Sequence, residues 1–226
     1  MLFRSAIKIE LTGDMAKHYD VYYRVHAQTF GWLGWAKNGE EAGTSGYSYR
    51  LEGIQIQLVA KGSAAPGSTE GSYRKPSLQY TTHVQDYGWQ TYVTDGQMAG
   101  TSGEGKRLEG IIIQLANQEY PGGVRYTTHV QDYGWQKFVE NGEMSGTSGE
   151  LKRLEAIKIE LTGTMADYYD IYYRVHAETY GWLGWAKNGE ESGTSGLSKR
   201  LEGIEIQLVT KGMSAPGSTV NAYVTQ

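Results

Sequence analysis

The chain contains the same segment, 33 residues long, four times. One copy runs from His83 to Leu115 and reads HVQDYGWQTYVTDGQMAGTSGEGKRLEGIIIQL. The copies, numbered here repeats 1 to 4, start at His26, His83, His129 and His176, so successive starts are 57, 46 and 47 residues apart. Because the apolar face of one repeat is covered by its neighbours, this repetition constrains the fold more than any other feature.

A longer period lies above the short one. Residues 6–69 and 156–219 are nearly identical at an offset of 150. Repeats 1 and 4 carry GWLGW and end in APGST, whereas repeats 2 and 3 carry GWQ. We therefore expect 70–226 to form a complete three-repeat unit, with repeats at about 77–118, 123–163 and 167–212, and 1–69 to form the last third of another unit: one strand plus repeat 1. Between repeats 1 and 2, the stretch VAKGSAAPGSTEGSYRKPS reads as a flexible linker.

Each repeat is written in the two-residue period of β-strands. In the last strand of repeat 1, Ile54, Ile56 and Leu58 are expected to face inward. An Asn-Gly or Asp-Gly pair, as at Asn38-Gly39, predicts a type I′ hairpin between two strands. The Gly-Thr-Ser-Gly stretch that follows is typical of a bulge or loop. These features predict an all-β chain with about four strands per repeat.

The superperiod of three repeats predicts a pseudo-threefold architecture. A β-prism-like arrangement of three sheets and a β-trefoil-like arrangement both fit the pattern. A four-bladed propeller would use all four repeats but would ignore the 150-residue period.

Composition excludes several functional classes. The chain of 226 residues has no cysteine, which excludes a disulfide scaffold, thiol catalysis and cysteine-ligated metals. Its net charge of −4 argues against nucleic acid or an anionic membrane as the main partner. No apolar run reaches the roughly 20 residues of a transmembrane helix, and the first residues, MLFRSAIKIEL, lack the apolar region and cleavage site of a signal peptide.

The pattern H-V-Q-D-Y-G-W-Q, followed by A-G-T-S-G and K-R-L-E-G-I-x-I-x-L, resembles the ChW repeat, the clostridial hydrophobic repeat with a conserved tryptophan. The resemblance covers all four repeats, and the matching tryptophans are Trp32, Trp89, Trp135 and Trp182. It implies an extracellular or cell-surface location and a role in attachment rather than catalysis.

Three recurring groups are expected to be structural because they occur in every copy. These are the histidine that starts each repeat, the Gly-Thr-Ser-Gly stretch and the Arg-Leu-Glu motif, which predicts a repeated salt bridge or a hydrogen-bond anchor. We expect no catalytic residue, no cofactor and no metal site.

The aromatic residues are the best candidates for ligand contact, since exposed rings stack on sugars while neighbouring polar groups bind hydroxyls. The family tryptophan is expected to fill the core of each repeat. The column that alternates with it is expected to be exposed and, with polar and aromatic neighbours, gives the predicted ligand-binding residues: Trp35, Tyr92, Phe138, Trp185, Tyr172, Arg174, Asp86 and Asp132.

Two functional hypotheses follow. The first is a non-catalytic, lectin-like module for adhesion, in which repeated aromatic sites recognise glycans on a cell surface. The alternative is a self-assembling structural protein, a homo-oligomer or fibre, in which residues 1–69 complete a fold with other chains.

Overall fold

A computed structural model of the chain describes residues 5–45, 49–118 and 120–226. It divides into two compact units, Met1–Pro76 (unit 1) and Ser77–Gln226 (unit 2). The all-β prediction is confirmed, since the described residues include only two helices, each of four residues. The division expected between residues 69 and 70 falls inside unit 1, because residues beyond it pair with repeat 1.

Unit 1 holds repeat 1 and the segments on either side of it. Its elements are β1 (Ser5–Ile7), α1 (Met15–His18), β2 (Tyr19–Ala27), β3 (Gly31–Trp32), β4 (Ala36–Lys37), β5 (Ala42–Thr44), β6 (Leu51–Ala60) and β7 (Tyr73–Arg74). Strands β3, β4 and β6 pair with β2, while β5 pairs with β1 and, in parallel, with β7. The core lies between β2 and residues 7–11, with Tyr23 completely buried.

Unit 2 holds repeats 2, 3 and 4. Repeat 2 comprises β8 (Ser77–Val84), β9 (Gly88–Trp89), β10 (Val93–Thr94), β11 (Met98–Gly100) and β12 (Leu108–Ala116). Repeat 3 comprises β13 (Gly122–Val130), β14 (Gly134–Trp135), β15 (Val139–Glu140), β16 (Met144–Gly146) and β17 (Leu154–Gly163). After α2 (Met165–Tyr168), repeat 4 comprises β18 (Tyr169–Ala177), β19 (Gly181–Trp182), β20 (Ala186–Lys187), β21 (Ser192–Ser195) and β22 (Leu201–Thr210), and β23 (Tyr223–Thr225) follows.

Each repeat has five strands where the sequence predicted about four, because its middle is divided into three strands of two to four residues. The first and last strands are long and pair antiparallel along their length, as in β8 with β12. The two-residue period predicted both strands correctly, and in unit 2 each of them has one face in the core.

The hairpin predicted at each Asn-Gly or Asp-Gly pair is wrong, although the turn itself is present. Asn38 and Gly39 have the expected positive φ angles of 42° and 88°, whereas at Asp95-Gly96 only the glycine does. The strands on the two sides of the turn do not pair with each other. The strand before it pairs with the first strand of its own repeat. The strand after it joins the sheet of another repeat in unit 2, and in unit 1 it pairs with β1 and β7.

This transfer of short strands closes unit 2 into a ring. Strand β16 of repeat 3 pairs with β12 of repeat 2, β21 of repeat 4 pairs with β17 of repeat 3, and β11 of repeat 2 pairs with β22 of repeat 4. The Gly-Thr-Ser-Gly stretch, predicted as a bulge or loop, thus begins in an inter-repeat strand. At Gly100 an added Cβ would lie 2.5 Å from the carbonyl oxygen of Glu202 on the neighbouring strand, so only glycine fits.

Hydrogen bonds made by buried tyrosine side chains link neighbouring repeats of the ring. The Tyr126 hydroxyl donates a hydrogen bond to the carbonyl of Glu143 in its own repeat and accepts one from the Ile113 N–H of the preceding repeat, at 2.9 Å. Tyr80 makes the equivalent bond to the N–H of Ile206 at 3.0 Å. The buried apolar residues of all three repeats therefore form one continuous core.

The last strand of repeat 1 departs from this plan. Ile54, Ile56 and Leu58 were expected to face inward but are exposed: Ile56 is 55% accessible, whereas its counterpart Ile206 in unit 2 is 0% accessible. The cause is the missing neighbour, since the described part of the chain places no strand on the outer edge of β6.

Candidate functional site

The segments that follow repeats 1 and 4 fold back over the second tryptophan of GWLGW. The backbone N–H of Trp35 donates to the carbonyl of Ser68, and the backbone N–H of Trp185 donates to the carbonyl of Ser218, both at 2.9 Å. Strand β23 then pairs in parallel with β21, as β7 pairs with β5. The flexible linker predicted between repeats 1 and 2 is therefore wrong: this segment, called the tail here (residues 61–74 and 211–225), is an ordered part of the GWLGW repeats.

The glycine of GWLGW makes room for the tail. A Cβ on Gly184 would lie 2.3 Å from the carbonyl oxygen of Val220, and one on Gly34 would lie 2.3 Å from that of Glu70. Repeats 2 and 3 carry Thr91 and Lys137 at this position. The tail and the GWLGW sequence thus occur together because the backbone of the tail needs the space of a missing side chain.

A buried carboxylate holds the start of the tail in repeat 4. Asp170 Oδ1 lies 2.9 Å from Lys211 Nζ and accepts a hydrogen bond from Asn188 Nδ2 at 2.8 Å, while Oδ2 lies 3.0 Å from Lys187 Nζ. Burial alone would raise the pKa of Asp170, but the bonds from Lys211, Asn188 and Lys187 outweigh it and hold the pKa well below its usual range. Asp20 makes the same contacts with Lys37 and Lys61 in repeat 1.

In repeat 4 the tail and the loop before β19 form an open cleft of ≈ 460 Å³. The cleft is lined by Tyr180, Trp182, Leu183, Gly184, Val220, Asn221, Tyr223, Val224 and Thr225. None of these nine residues is charged. Aromatic rings stand beside an amide and hydroxyl groups, a composition that binds neutral polar ligands with an apolar face.

The Trp182 ring is held in a fixed orientation. The His176 ring meets it edge-on with centroids 5.6 Å apart, and the Arg174 guanidinium lies 4.8 Å from its centroid. Arg174 is itself anchored, since its Nε donates to Glu205 at 2.7 Å. A ring fixed in this way loses little conformational entropy when a ligand stacks on it.

The equivalent place in repeat 1 differs in chemistry. Phe30 replaces Tyr180 and Arg74 replaces Val224, and the Arg74 guanidinium lies over the Phe30 ring at 5.4 Å from its centroid. The two GWLGW repeats therefore share a scaffold, including an arginine over the ChW-position tryptophan, but in repeat 1 a second cation lies over the ring that corresponds to Tyr180.

The model of the family described as "Clostridial hydrophobic W" (ChW) matches residues 26–60, 83–117, 129–163 and 176–210. The chain belongs to the ChW family. No curated protein and no solved structure matches it. Within residues 5–45, 49–118 and 120–226, no helix is long and apolar enough to cross a membrane, and no cluster of three or more potential metal-ligating side chains occurs.

The ChW tryptophan is not the core residue that the sequence led us to expect. Trp32 and Trp89 are exposed, and Trp135 and Trp182 are half-buried. Each stands edge-on to the histidine of its own repeat, as Trp89 does to His83 at 5.4 Å. The core place is instead filled by the buried tyrosines that join the repeats.

The aromatic residues that alternate with the ChW tryptophan are exposed in the GWQ repeats and buried in the GWLGW repeats. Tyr92 and Phe138 are exposed as expected. The expectation is wrong at Trp35 and Trp185, which are 7% and 5% accessible, because the tail covers them. Tyr172 is also buried, under the ammonium group of Lys187.

The predicted polar residues are engaged in pairs within the protein. Asp86 Oδ2 lies 2.5 Å from Lys106 Nζ, and Asp132 Oδ2 lies 2.6 Å from Lys152 Nζ. The hydrogen bond from each lysine lowers the pKa of its aspartate. None of the eight predicted ligand-binding residues lines the cleft, although Arg174 lies over the ring of Trp182, which does.

Sequence reasoning missed all nine cleft residues, including Trp182, which was expected in the core, and the polar or aromatic residues Tyr180, Asn221 and Tyr223. Tyr180 lies in the Tyr-Gly-Trp part of the motif, where the repeats look alike. The tail residues lie outside the 33-residue segment, and the match of Tyr223 to Tyr73 was the one available signal.

The structural groups expected in each ChW repeat form the predicted salt bridges. Arg107 and Glu109 are 2.7 Å apart, and Arg153 and Glu155 are 2.6 Å apart. The same glutamate faces the repeat's histidine, with His83 Nδ1 3.1 Å from Glu109 Oε2.

Proposed function

We propose that this ChW protein is a non-catalytic binding module that acts outside the cell or on its surface, and that repeat 4 binds a neutral glycan in its cleft. The observation that carries the proposal is the lining: Tyr180, Trp182 and Tyr223 offer rings to the apolar face of a sugar, and Asn221 and Thr225 offer polar groups to its hydroxyls. The extracellular location is supported by the ChW family resemblance.

A non-catalytic role is supported by the repetition of the ionisable groups. The His–Glu–Arg group has nearly the same distances in all four repeats, as at His26 and His176, each 3.3 Å from its glutamate. Because this group recurs in all four repeats, we assign it to stabilising the fold of each repeat. The cleft, in contrast, is formed by residues that differ between the repeats.

Titration of the full chain with cell-wall and mucin-type oligosaccharides, followed by tryptophan fluorescence, tests glycan binding. We expect one class of neutral sugar to change the emission, and Tyr180→Ala to weaken its binding about 3- to 10-fold, the range for one lost stacking contact. Tyr92→Ala is the matched control, since Tyr92 has almost the same accessibility (45% against 43%) but lies outside the cleft. No response to any sugar, or equal losses in both variants, would contradict the proposal.

A second function, self-assembly, is favoured by the exposed apolar face of β6. A soluble protein rarely leaves a row such as Ile54, Ile56 and Leu58 open on an unpaired strand, because such an edge pairs readily with another chain. We propose that unit 1 assembles with other chains. Light scattering over a range of concentrations tests this, and a monomer of 25.1 kDa at every concentration would contradict it.

We also propose that unit 2 is prism-like. Its strands lie in three separate sheets, each completed by a strand from another repeat. A trefoil-like arrangement would instead close a barrel.

A further inference from the structure

In the described part of the chain, the outer edge of β6 has no partner strand. The corresponding edge has a partner strand in all three repeats of unit 2. Strands β12, β17 and β22 each pair on this edge with the short strand of another repeat. Among the described residues, β6 pairs with β2 alone. The three filled positions therefore show which groups a partner of β6 must carry.

The partner's groups follow from the β22 interface. There Ala99 lies opposite Ile204, the Gly96 N–H donates to the Ile206 carbonyl at 2.8 Å, and the Tyr80 hydroxyl receives the Ile206 N–H. At the 150-residue offset, Ile204 and Ile206 correspond to Ile54 and Ile56. An occupant of β6 thus needs a short strand with a small residue, a turn glycine and a buried tyrosine.

Repeat 1 carries this set itself, on the side away from β6. Ala42 is the small residue of β5, Gly39 is the turn glycine and Tyr23 is the buried tyrosine. In the single chain these groups are covered by residues 5–11, with Ile7 opposite Ala42 and the Gly39 N–H donating to the Ile9 carbonyl at 2.8 Å. One chain therefore carries both surfaces of the interface, the outer edge of β6 and the groups around β5. Only the groups around β5 are covered, by residues 5–11 of the same chain.

We propose that copies of the chain exchange strands through unit 1: β6 of one copy pairs with β5 of the next, Ile54 opposite Ala42, and displaces residues 5–11 of that next copy. The inference rests on the proposed self-assembly and names its partner and its register. Because the third repeat of unit 2 returns to the first, the same interface closes after three copies and gives a homotrimer.

Three features favour β6 over residues 5–11 as the occupant. Strand β6 is already ordered by nine residue pairs with β2, so little conformational entropy is lost when it docks. Strand β1 has three residues, and in the described chain it pairs only with β5. Docking also buries the exposed side chains of Ile54, Ile56 and Leu58, which residues 5–11 leave in solvent.

The absence of cysteine allows a direct test by disulfide cross-linking in the full chain. Residues directly opposite each other on antiparallel strands are close enough for a disulfide. We expect Ala42→Cys with Ile54→Cys to give disulfide-linked dimers and trimers on a non-reducing gel. Ala42→Cys with Gln55→Cys, one residue out of register and on the other face, should give none.

Two matched controls fix the interpretation. Ala99→Cys with Ile204→Cys, at the equivalent pair within unit 2, should give an intramolecular disulfide and no linked chains. Ile7→Cys with Ala42→Cys should lock residues 5–11 in place and yield monomers when oxidised, and the reduced protein should recover a mass of three chains of 25.1 kDa.

The outcomes separate this inference from the proposed self-assembly. Oligomers without the Ala42–Ile54 link would overturn the strand exchange and leave self-assembly intact, whereas a protein that stays monomeric would overturn both. If the cysteine variants do not fold, Ile56→Lys gives the answer, because Ile56 is exposed in the single chain. The Ile56→Lys variant should be a monomer. The control Gln57→Lys, on the opposite face of β6, should remain a trimer. A trimeric Ile56→Lys variant would contradict the exchange.

Discussion

The hydroxyl of Tyr80 accepts a hydrogen bond from the backbone N–H of Ile206, 126 residues further along the chain. The same hydroxyl donates to the carbonyl of Gln97 in its own repeat. One oxygen thus joins the first repeat of unit 2 to the last, and the Tyr126 hydroxyl joins repeat 3 to repeat 2 in the same way.

Tyr80→Phe should destabilise unit 2, because it leaves the buried N–H of Ile206 and the carbonyl of Gln97 without this partner. We expect a loss of about 1–3 kcal/mol in the free energy of unfolding, measured by urea denaturation. Tyr92→Phe removes an exposed hydroxyl and should change this free energy by less than about 0.5 kcal/mol. Equal effects of the two substitutions would show that the Tyr80 hydroxyl does not join the repeats.

Stability should fall at alkaline pH through the same tyrosines. Burial raises the pKa of Tyr126 from 10.0 to about 12, so the folded state holds its proton more tightly than the unfolded chain does. The resulting stabilisation is complete below pH 10 and is lost as the pH rises towards 12. The urea midpoint of Tyr126→Phe should therefore decrease less between pH 9 and pH 11.5 than that of the wild-type protein, while Tyr180→Phe, at an exposed ring, should follow the wild type.

Gly184→Ala should displace the tail from repeat 4, because the new Cβ would lie 2.3 Å from the Val220 carbonyl oxygen. We expect a cost of about 1–3 kcal/mol from this overpacking and a red shift of tryptophan emission as Trp185 becomes exposed. Glycan binding in the cleft should weaken with it. Val220→Ala, which shortens an exposed side chain and leaves the tail backbone in place, should not shift the emission.

Asp170→Asn should change how stability depends on acid. The lysines and Asn188 lower the pKa of Asp170, so its contribution is complete above the ordinary carboxyl value of 3.8 and is lost as the pH falls below it. The asparagine variant should be less stable at pH 7 and should lose less stability than the wild type between pH 5 and pH 2. Asp167→Asn, at an exposed position in α2, is the control and should keep the acid dependence of the wild type.

The sequence predicted features that depend on neighbouring residues and missed those that depend on distant ones. The long strands and the turn at Asn38-Gly39 follow from local period and backbone preference, and both are present. Which strand pairs with which across that turn depends on other repeats, so the predicted hairpin was wrong. Ile54 has the same local pattern as Ile204, yet only Ile204 has a neighbouring strand to bury it.

The aromatic predictions show the same limit. Trp185 and Phe138 occupy one column of the repeat, and alternation within a strand treats them alike. The tail of repeat 4, which contacts Trp185 through Ser218, 33 residues further along the chain, covers that ring and has no counterpart at Phe138. The same tail builds the cleft, so the contact that removed Trp185 from the candidate site also brought Tyr223 into it.

Closure of the ring after three repeats limits the number of repeats that a gene duplication can add. Duplicating one repeat would add a copy for which a closed ring has no place, and its surplus strand would be left with an open edge. Duplicating three repeats together copies a ring in which the last long strand of every repeat has a partner on both sides. The near-identity of residues 6–69 and 156–219, at an offset of 150, has the length of such a three-repeat step, so the geometry of strand pairing sets the size of the duplication that the fold can accept.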